Sequence, residues 1–204
     1  MSGVSFGVLA EDDTDCAAVG VLVRRAAREV SDLPVGLRRF AAAGCSKLKR
    51  KAEPQIRAMA REGCAAAILV HDLDRNPDNS QLNDEAALRA QLEAIAVPAG
   101  LARLICIPVE ELEAWFWSDP AVVEEVGRGK GKAHPSPHLI ARPKEALIRL
   151  SMAGDKKPRY STNDNPKLAA KLDLDLCAKH CRAFRDLRAF VHETLVGSGR
   201  RPAG

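Results

Sequence analysis

Four short apolar stretches punctuate the first half of the chain, and three of them run directly into acid. Val4-Ser5-Phe6-Gly7-Val8-Leu9-Ala10 leads into Glu11-Asp12-Asp13-Thr14-Asp15. Ala65-Ala66-Ala67-Ile68-Leu69-Val70 leads into His71-Asp72-Leu73-Asp74, and Arg103-Leu104-Ile105-Cys106-Ile107-Pro108-Val109 into Glu110-Glu111-Leu112-Glu113. The fourth stretch, Leu33 to Phe40, places Pro34 near its start, where a missing N–H does least harm. Runs of this length bounded by turn residues predict strands over 4–10, 33–40, 64–72 and 103–109. Helical periodicity fills the intervals. Thr14–Val30 sets Cys16, Val19, Val23, Ala26 and Ala27 on one side, with Asp13 or Thr14 as its N-cap. Lys47–Arg61 and Asp84–Ala96 follow, the latter closed by Pro98 and Gly100. Strands alternating with helices predict an α/β fold: a four-stranded parallel sheet with right-handed crossovers and flanking helices. Such sheets bind ligands at the carboxyl ends of their strands, the edge to which the acids are delivered.

Beyond Asp119 the pattern changes to short helices and loops. Gly127-Arg128-Gly129-Lys130-Gly131-Lys132 and His134-Pro135-Ser136-Pro137-His138 read as a flexible basic connector and a candidate lid. Arg142-Pro143 opens a helix with proline at its first position, Asn165-Pro166 opens another, and Phe184–Leu195 is a last amphipathic helix before a frayed tail. The division expected is an α/β core over 1–119 and a helical C-terminal extension over 120–204 packed on it. The chain contains no run of 18 apolar residues, which predicts a soluble, cytoplasmic protein. Its six cysteines follow no Cys-x-x-Cys pattern and read as reduced core thiols; Cys177, His180 and Cys181 share a helical face but lack a fourth zinc ligand.

Charge sharpens the picture. The net +4 conceals an acidic first part and a basic second: residues 120–204 hold 17 Lys and Arg against 9 Asp and Glu. Eight more Lys and Arg fall between Arg38 and Arg61. A basic surface beside an acidic sheet edge suits a polyanion held near a metal, although solvated helix faces account equally for the lysines. In an extended chain Asp72 and Asp74 point to the same side. Two such charges about 4 Å apart repel by roughly 4 kcal/mol at an effective dielectric near 20, so a compensating group is required. A divalent cation such as Mg²⁺, which favours oxygen ligands, is the simplest.

Glu11 with an acid four residues on, Asp72-Leu73-Asp74 after the third strand, and the four-stranded α/β order together resemble the Toprim domain. That is the metal-binding fold of topoisomerases, primases and the overcoming-lysogenization-defect nucleases. Pro108-Val109-Glu110-Glu111-Leu112-Glu113-Ala114-Trp115, Arg142-Pro143-Lys144-Glu145-Ala146-Leu147 and Cys181-Arg182-Ala183-Phe184-Arg185-Asp186-Leu187 resemble, further, a group of small stand-alone bacterial Toprim-like proteins often suspected of roles in phage defence. The resemblance implies a Toprim-like Rossmannoid sheet. It makes Glu11, Asp15, Asp72, Asp74, Glu111 and Glu113 candidate ligands of Mg²⁺ or Mn²⁺, with Glu11, Asp72 and Lys144 in catalytic roles and Lys144 neutralising charge at the reacting phosphate. One departure stands out, since Asp12 occupies the position where Toprim proteins usually carry glycine. Glu110 is ambiguous: on a helix it shares a face with Glu113, whereas Glu111 and Glu113 share one only in an extended chain.

Two functions follow as expectations. The first is a metal-dependent nuclease acting on nucleic-acid phosphodiester bonds. The second is a non-catalytic metal- and nucleic-acid-binding subunit working with an ATPase partner. Homodimer and monomer read alike. Glu11-Asp12-Asp13 with Asp72 also suggests a phosphoacceptor receiver domain, but that fold needs a lysine after its fifth strand, and residues 101–127 contain none.

Overall fold

The computed structural model describes residues 3–152 and 154–199, without the side chains of residues 45, 46, 198 and 199. Its centre is a four-stranded parallel sheet in the order β2-β1-β3-β4, a Rossmannoid arrangement. The strands are β1 (Val4–Ala10), β2 (Val35–Ala41), β3 (Ala66–Val70) and β4 (Ala102–Cys106). The crossovers are α1 (Asp13–Arg28), α2 (Cys45–Arg61) and α3 (Glu85–Glu93).

β3 is buried along its whole length, as its unbroken Ala-Ala-Ile-Leu-Val requires. Strand alternation divides the apolar residues between two faces. Phe6, Val8, Ala10, Ala66, Ile68 and Val70 belong to one core, which α1 covers with Val19, Leu22 and Val23. Leu9, Ala67, Leu69, Ile105 and Ile107 belong to the other, under Ile56 and Met59 of α2 and Leu88 and Leu92 of α3. Gly7 is required where α2 crosses β1, because a Cβ there would stand 2.5 Å from the Met59 side chain.

Two strands are shorter than the apolar runs suggest. The β3–β4 ladder stops at Val70↔Cys106. Both chains continue extended, with single contacts such as Leu73 N to Pro108 O at 2.8 Å, but Pro108 has no N–H to return. His71, Asp72 and the residues after Cys106 therefore lie past the sheet. β2 starts and ends one or two residues later than its apolar run.

The C-terminal half is helical: α4 (Pro120–Val126), α5 (Pro143–Met152), α6 (Asn165–Lys171), α7 (Leu174–His180) and α8 (Arg182–Gly199), with a 3₁₀ helix at Leu112–Ser118 before them. α4 and the 3₁₀ helix have no counterpart in the sequence, being too short for a period to declare itself, and α7 matches only the helical face expected for Cys177 and His180, with Cys181 as its C-cap. The last helix runs four residues past the Leu195 end expected for it, and the remainder of the expected frayed tail lies outside the described residues. Leu168, Ala169, Phe184, Leu187 and Val191 join the same core as α1. Arg25 of α1 donates to the carbonyls of Ala169 (2.8 Å) and Leu172 (2.5 Å) at the end of α6. Asp119, where the two parts meet, caps α4 through Ala121 N at 2.8 Å and accepts Asp173 N at 2.7 Å. The glycine-rich connector is tied to this frame by His134 N to Trp117 O at 2.8 Å and by His180 Nδ1 against Pro135 O at 2.9 Å. Trp115 is buried against Phe184, and the half-buried Trp117 donates to Pro143 O at 3.2 Å, so both tryptophans belong to the junction between sheet and helices. No helix among the described residues is long and apolar enough to cross a membrane.

Candidate metal centre

Five segments deliver charged side chains to the carboxyl edge of the sheet. Glu11 ends β1. Its carbonyl accepts the N–H groups of Ala43 (2.8 Å) and Gly44 (3.1 Å), which fixes the loop after β1 against the one after β2. Asp12 is the N-cap of α1, accepting Thr14 N at 2.8 Å and Asp15 N at 2.9 Å. The cap is thus neither Asp13 nor Thr14. Asp12 has a local role, its carboxylate being engaged by the helix end. Asp15 sits in the first turn of α1 and projects back over the sheet edge.

Asp72 lies beyond β3 on the α1 side, continuing the alternation of Ala66, Ile68 and Val70. Burial pushes its carboxyl well above the ordinary aspartate range, and Asp15, Glu113, Glu11 and Asp74 push it further. The same causes act around the cluster. Burial, then Asp74 and Asp12, raise Glu11 to about 7. Burial, then Asp12 and Glu113, raise Asp15 to about 8. Asp74 and Glu113 are both raised, chiefly by burial. Each of these carboxyls is disfavoured as an anion by the company it keeps.

Against them stands the ammonium of Lys144, in the first turn of α5. Its Nζ is 2.8 Å from Glu111 Oε1, and its backbone N–H donates to Glu111 Oε2 at 2.9 Å. Burial works against the charged lysine, but the Glu111 hydrogen bond and the surrounding carboxylates outweigh it and raise its pKa.

The acidic loop after β4 separates its glutamates by a backbone reversal. Glu110 has φ +66°, uncommon for a side chain with a Cβ. It is buried and pairs with Arg75, away from Lys144. Glu111 is extended (φ −145°, ψ 161°) and turns to Lys144. Glu113 enters the 3₁₀ helix with only 3 % of its surface exposed. There Asn165 Nδ2 donates to its Oε1 at 3.0 Å, and Tyr160 OH donates to Asn165 Oδ1 at 2.6 Å.

All six acids singled out in the sequence, together with Lys144, thus meet within one electrostatic neighbourhood. The residues that hold them were not anticipated. Asn165 and Tyr160 carry no local signal, because their role depends on α6 docking beside the 3₁₀ helix. Arg75 reads as a turn residue. His71 is buried; its Nδ1 lies 2.8 Å from the Asp72 carbonyl, so Nδ1 carries the proton, and Nε2 has no partner among the described residues. The ring lines an opening of about 320 Å³ between α2 and α3, shared with Asp72, Asp74, Lys49 and Gln91. Among the described residues no three His, Cys, Asp or Glu side chains are set, as they stand, to hold an ion. The cluster's fit to a cation is one of donor chemistry and charge: every donor is a carboxylate oxygen, and negative groups exceed the single lysine.

No curated protein and no solved structure matches the chain. A family model described as a domain of unknown function, DUF4276, matches residues 10–192, a span that contains every member of the cluster and its supports. The chain belongs to that family, DUF4276.

Proposed function

We propose that the cluster binds a divalent cation, Mg²⁺ or Mn²⁺, and that the protein is a metal-dependent nuclease hydrolysing nucleic-acid phosphodiester bonds, as its resemblance to Toprim proteins implies. The observation that carries the reading is the gathering of Glu11, Asp15, Asp72, Asp74 and Glu113, from three stretches of the chain, where burial first and neighbouring carboxylates second raise each carboxyl. Stability alone gives no reason to assemble such a group.

Bound there, the ion would polarise a phosphoryl oxygen and lower the pKa of an attacking water. The chain's own contributions are separable. Glu11 and Asp72, both half-buried, would hold the ion at the reacting phosphate, as the resemblance implies. Asp15, Asp74 and Glu113 complete the anionic wall. Lys144, held by Glu111, offers its ammonium to the negative charge that develops on the phosphate. Basic side chains of α2 and of the C-terminal helices lie outside this wall and track the nucleic-acid backbone with little regard for sequence.

Cleavage of plasmid DNA, single-stranded DNA and RNA with Mg²⁺, Mn²⁺ or EDTA tests the proposal, with wild type beside Asp72→Ala. Metal-dependent cutting absent from the variant is the expected result. Undiminished cutting by Asp72→Ala sinks it. That variant removes a buried acid that is costly to ionise, so at pH 8 in EDTA it should melt no lower than the wild type.

One observation favours a second reading. Glu111 is already engaged by Lys144 and Glu113 by Asn165. A subunit that binds metal and nucleic acid without cutting, working with an ATPase partner, would leave them so. A stable complex with such an ATPase, and no cleavage with either metal, selects it.

A further inference from the structure

At the free edge of β4, between α3 on one face of the sheet and α8 on the other, lies a cavity of about 310 Å³. Its floor is apolar, formed by Ile107, Val109, Ala114 and Trp115. Its walls carry Arg89, Lys179, Arg182 and Arg185 against two carboxylates, Glu85 and Asp186. Those two carboxylates are already engaged: Glu85 lies 3.0 Å from Arg89 and 4.0 Å from Arg182, and Asp186 lies 3.6 Å from Arg182. Among the described residues neither Lys179 nor Arg185 has a carboxylate partner, and both are exposed. The first turn of α8, an 18-residue helix, forms part of the wall and adds the positive end of its dipole.

An apolar floor under a cationic rim selects a ligand with a flat apolar body and an anionic group. The size is at the small end of ligand cavities, which run from about 300 Å³ upward. The position narrows the ligand further. Floor residues Val109 and Ala114 immediately flank Glu110–Glu113, so one loop presents acids to the candidate metal centre and apolar side chains to the cavity. A surplus of positive charge thus borders the most negative part of the molecule.

We infer that this cavity holds a nucleotide unit, with its base on the Ile107–Val109–Ala114 floor and its phosphate between Lys179, Arg185 and the start of α8, belonging to the strand whose phosphodiester reaches the acid cluster. The inference rests on the nucleic-acid reading above and adds a subsite to it. It also implies that a strand is gripped one side of the cleavage point by a base-accepting pocket rather than by backbone contacts alone.

Binding in EDTA separates the subsite from the metal centre. The probes are adenosine 5′-monophosphate, inorganic phosphate and a short 5′-phosphorylated single-stranded oligonucleotide, titrated calorimetrically against the full chain. Wild type should bind the nucleotide more tightly than phosphate, and the oligonucleotide should displace it. Lys179→Glu combined with Arg185→Glu should weaken nucleotide binding by about tenfold or more, the loss expected when charge-assisted hydrogen bonds are removed. Ala183→Trp, which adds bulk at a residue lining the cavity and outside the candidate metal cluster, should do the same with an unchanged circular dichroism spectrum. Nucleotide binding indifferent to both variants, or no tighter than phosphate, overturns the inference, as does an oligonucleotide that fails to compete. If nucleotide binding responds to the variants but wild type cuts nothing with either metal, the cavity stands and the hydrolytic reading falls.

Discussion

Glu110 and Glu111 are neighbours in the chain and belong to different chemistry, because a left-handed φ at Glu110 turns its carboxylate to Arg75 and leaves Glu111 to Lys144. Single side chains govern the electrostatics here, and the pH behaviour follows from them. Glu11 and Asp15 titrate near 7 and 8 in the fold but near their ordinary carboxylate values when unfolded. A raised folded pKa means that the native state binds the extra protons. Their stabilising effect is complete below the unfolded values and is lost as pH rises through 7 and 8. In EDTA the melting temperature should therefore fall between pH 6 and pH 9, and added Mg²⁺ or Mn²⁺ should restore it most at the alkaline end, where fewer protons compete. A flat profile in EDTA would contradict the burial of these acids. Asn165 gives a second test at this scale. Asn165→Ala leaves Glu113 and Tyr160 without their shared partner, and the loss should be about 1–3 kcal/mol in a denaturant titration. Cation affinity, measured by calorimetry, should change with it, since Glu113 then keeps only the 3.5 Å contact from Tyr160 OH.

At the scale of elements, the start of α1 unites structure and site. Asp12 caps the helix and also raises Glu11 and Asp15. The two roles are separable. Asp12→Asn keeps a capping oxygen and removes the charge, so it should leave stability nearly unchanged while lowering the pKa values of both acids. Asp12→Ala should cost about 0.5–2 kcal/mol of folding free energy by urea titration. Equal losses in the two variants would show that the cap is not what holds the helix end. The start of α5 plays the matching part on the other side: Lys144 closes on Glu111 through both its N–H and its ammonium. Much of this was legible. Pro143 at the head of α5 and the four strands are local signals that burial did not override, whereas the cap of α1 is Asp12 and neither Asp13 nor Thr14. α4 and the 3₁₀ helix were not legible, because these short segments take their form from the surfaces they dock on.

Considered as a whole, the molecule does not come apart where its composition changes. α1 buries Val19, Leu22 and Val23 in a core completed by Leu168, Phe184, Leu187 and Val191 from the C-terminal half. A chain ending at residue 119 would expose that face of α1 and lose Asn165 from beneath Glu113. It should give a poorly dispersed NMR spectrum and bind no divalent cation, whereas the full chain should give a well-dispersed one and, under the proposed function, bind the cation. A well-dispersed spectrum for residues 1–119 would show that the sheet and its three helices suffice.

What the sequence by itself determined is the alternation of strand and helix, and with it the parallel sheet and the edge at which its acids gather, because period and polarity are properties of neighbours along the chain. The acids of 11–15, 72–74 and 110–113 follow strands, and a parallel sheet sends those ends to one side; the particular set Glu11, Asp15, Asp72, Asp74, Glu111 and Glu113, with Lys144, came from the resemblance to Toprim proteins. Tertiary structure alone decided how the set is held. Which glutamate turns to Lys144, that Asn165 and Tyr160 steady Glu113, and that a basic cavity backs the acidic loop all depend on contacts between residues about 30 to 80 positions apart. Such contacts form only when helices dock on the sheet and exclude water, and no local pattern records them.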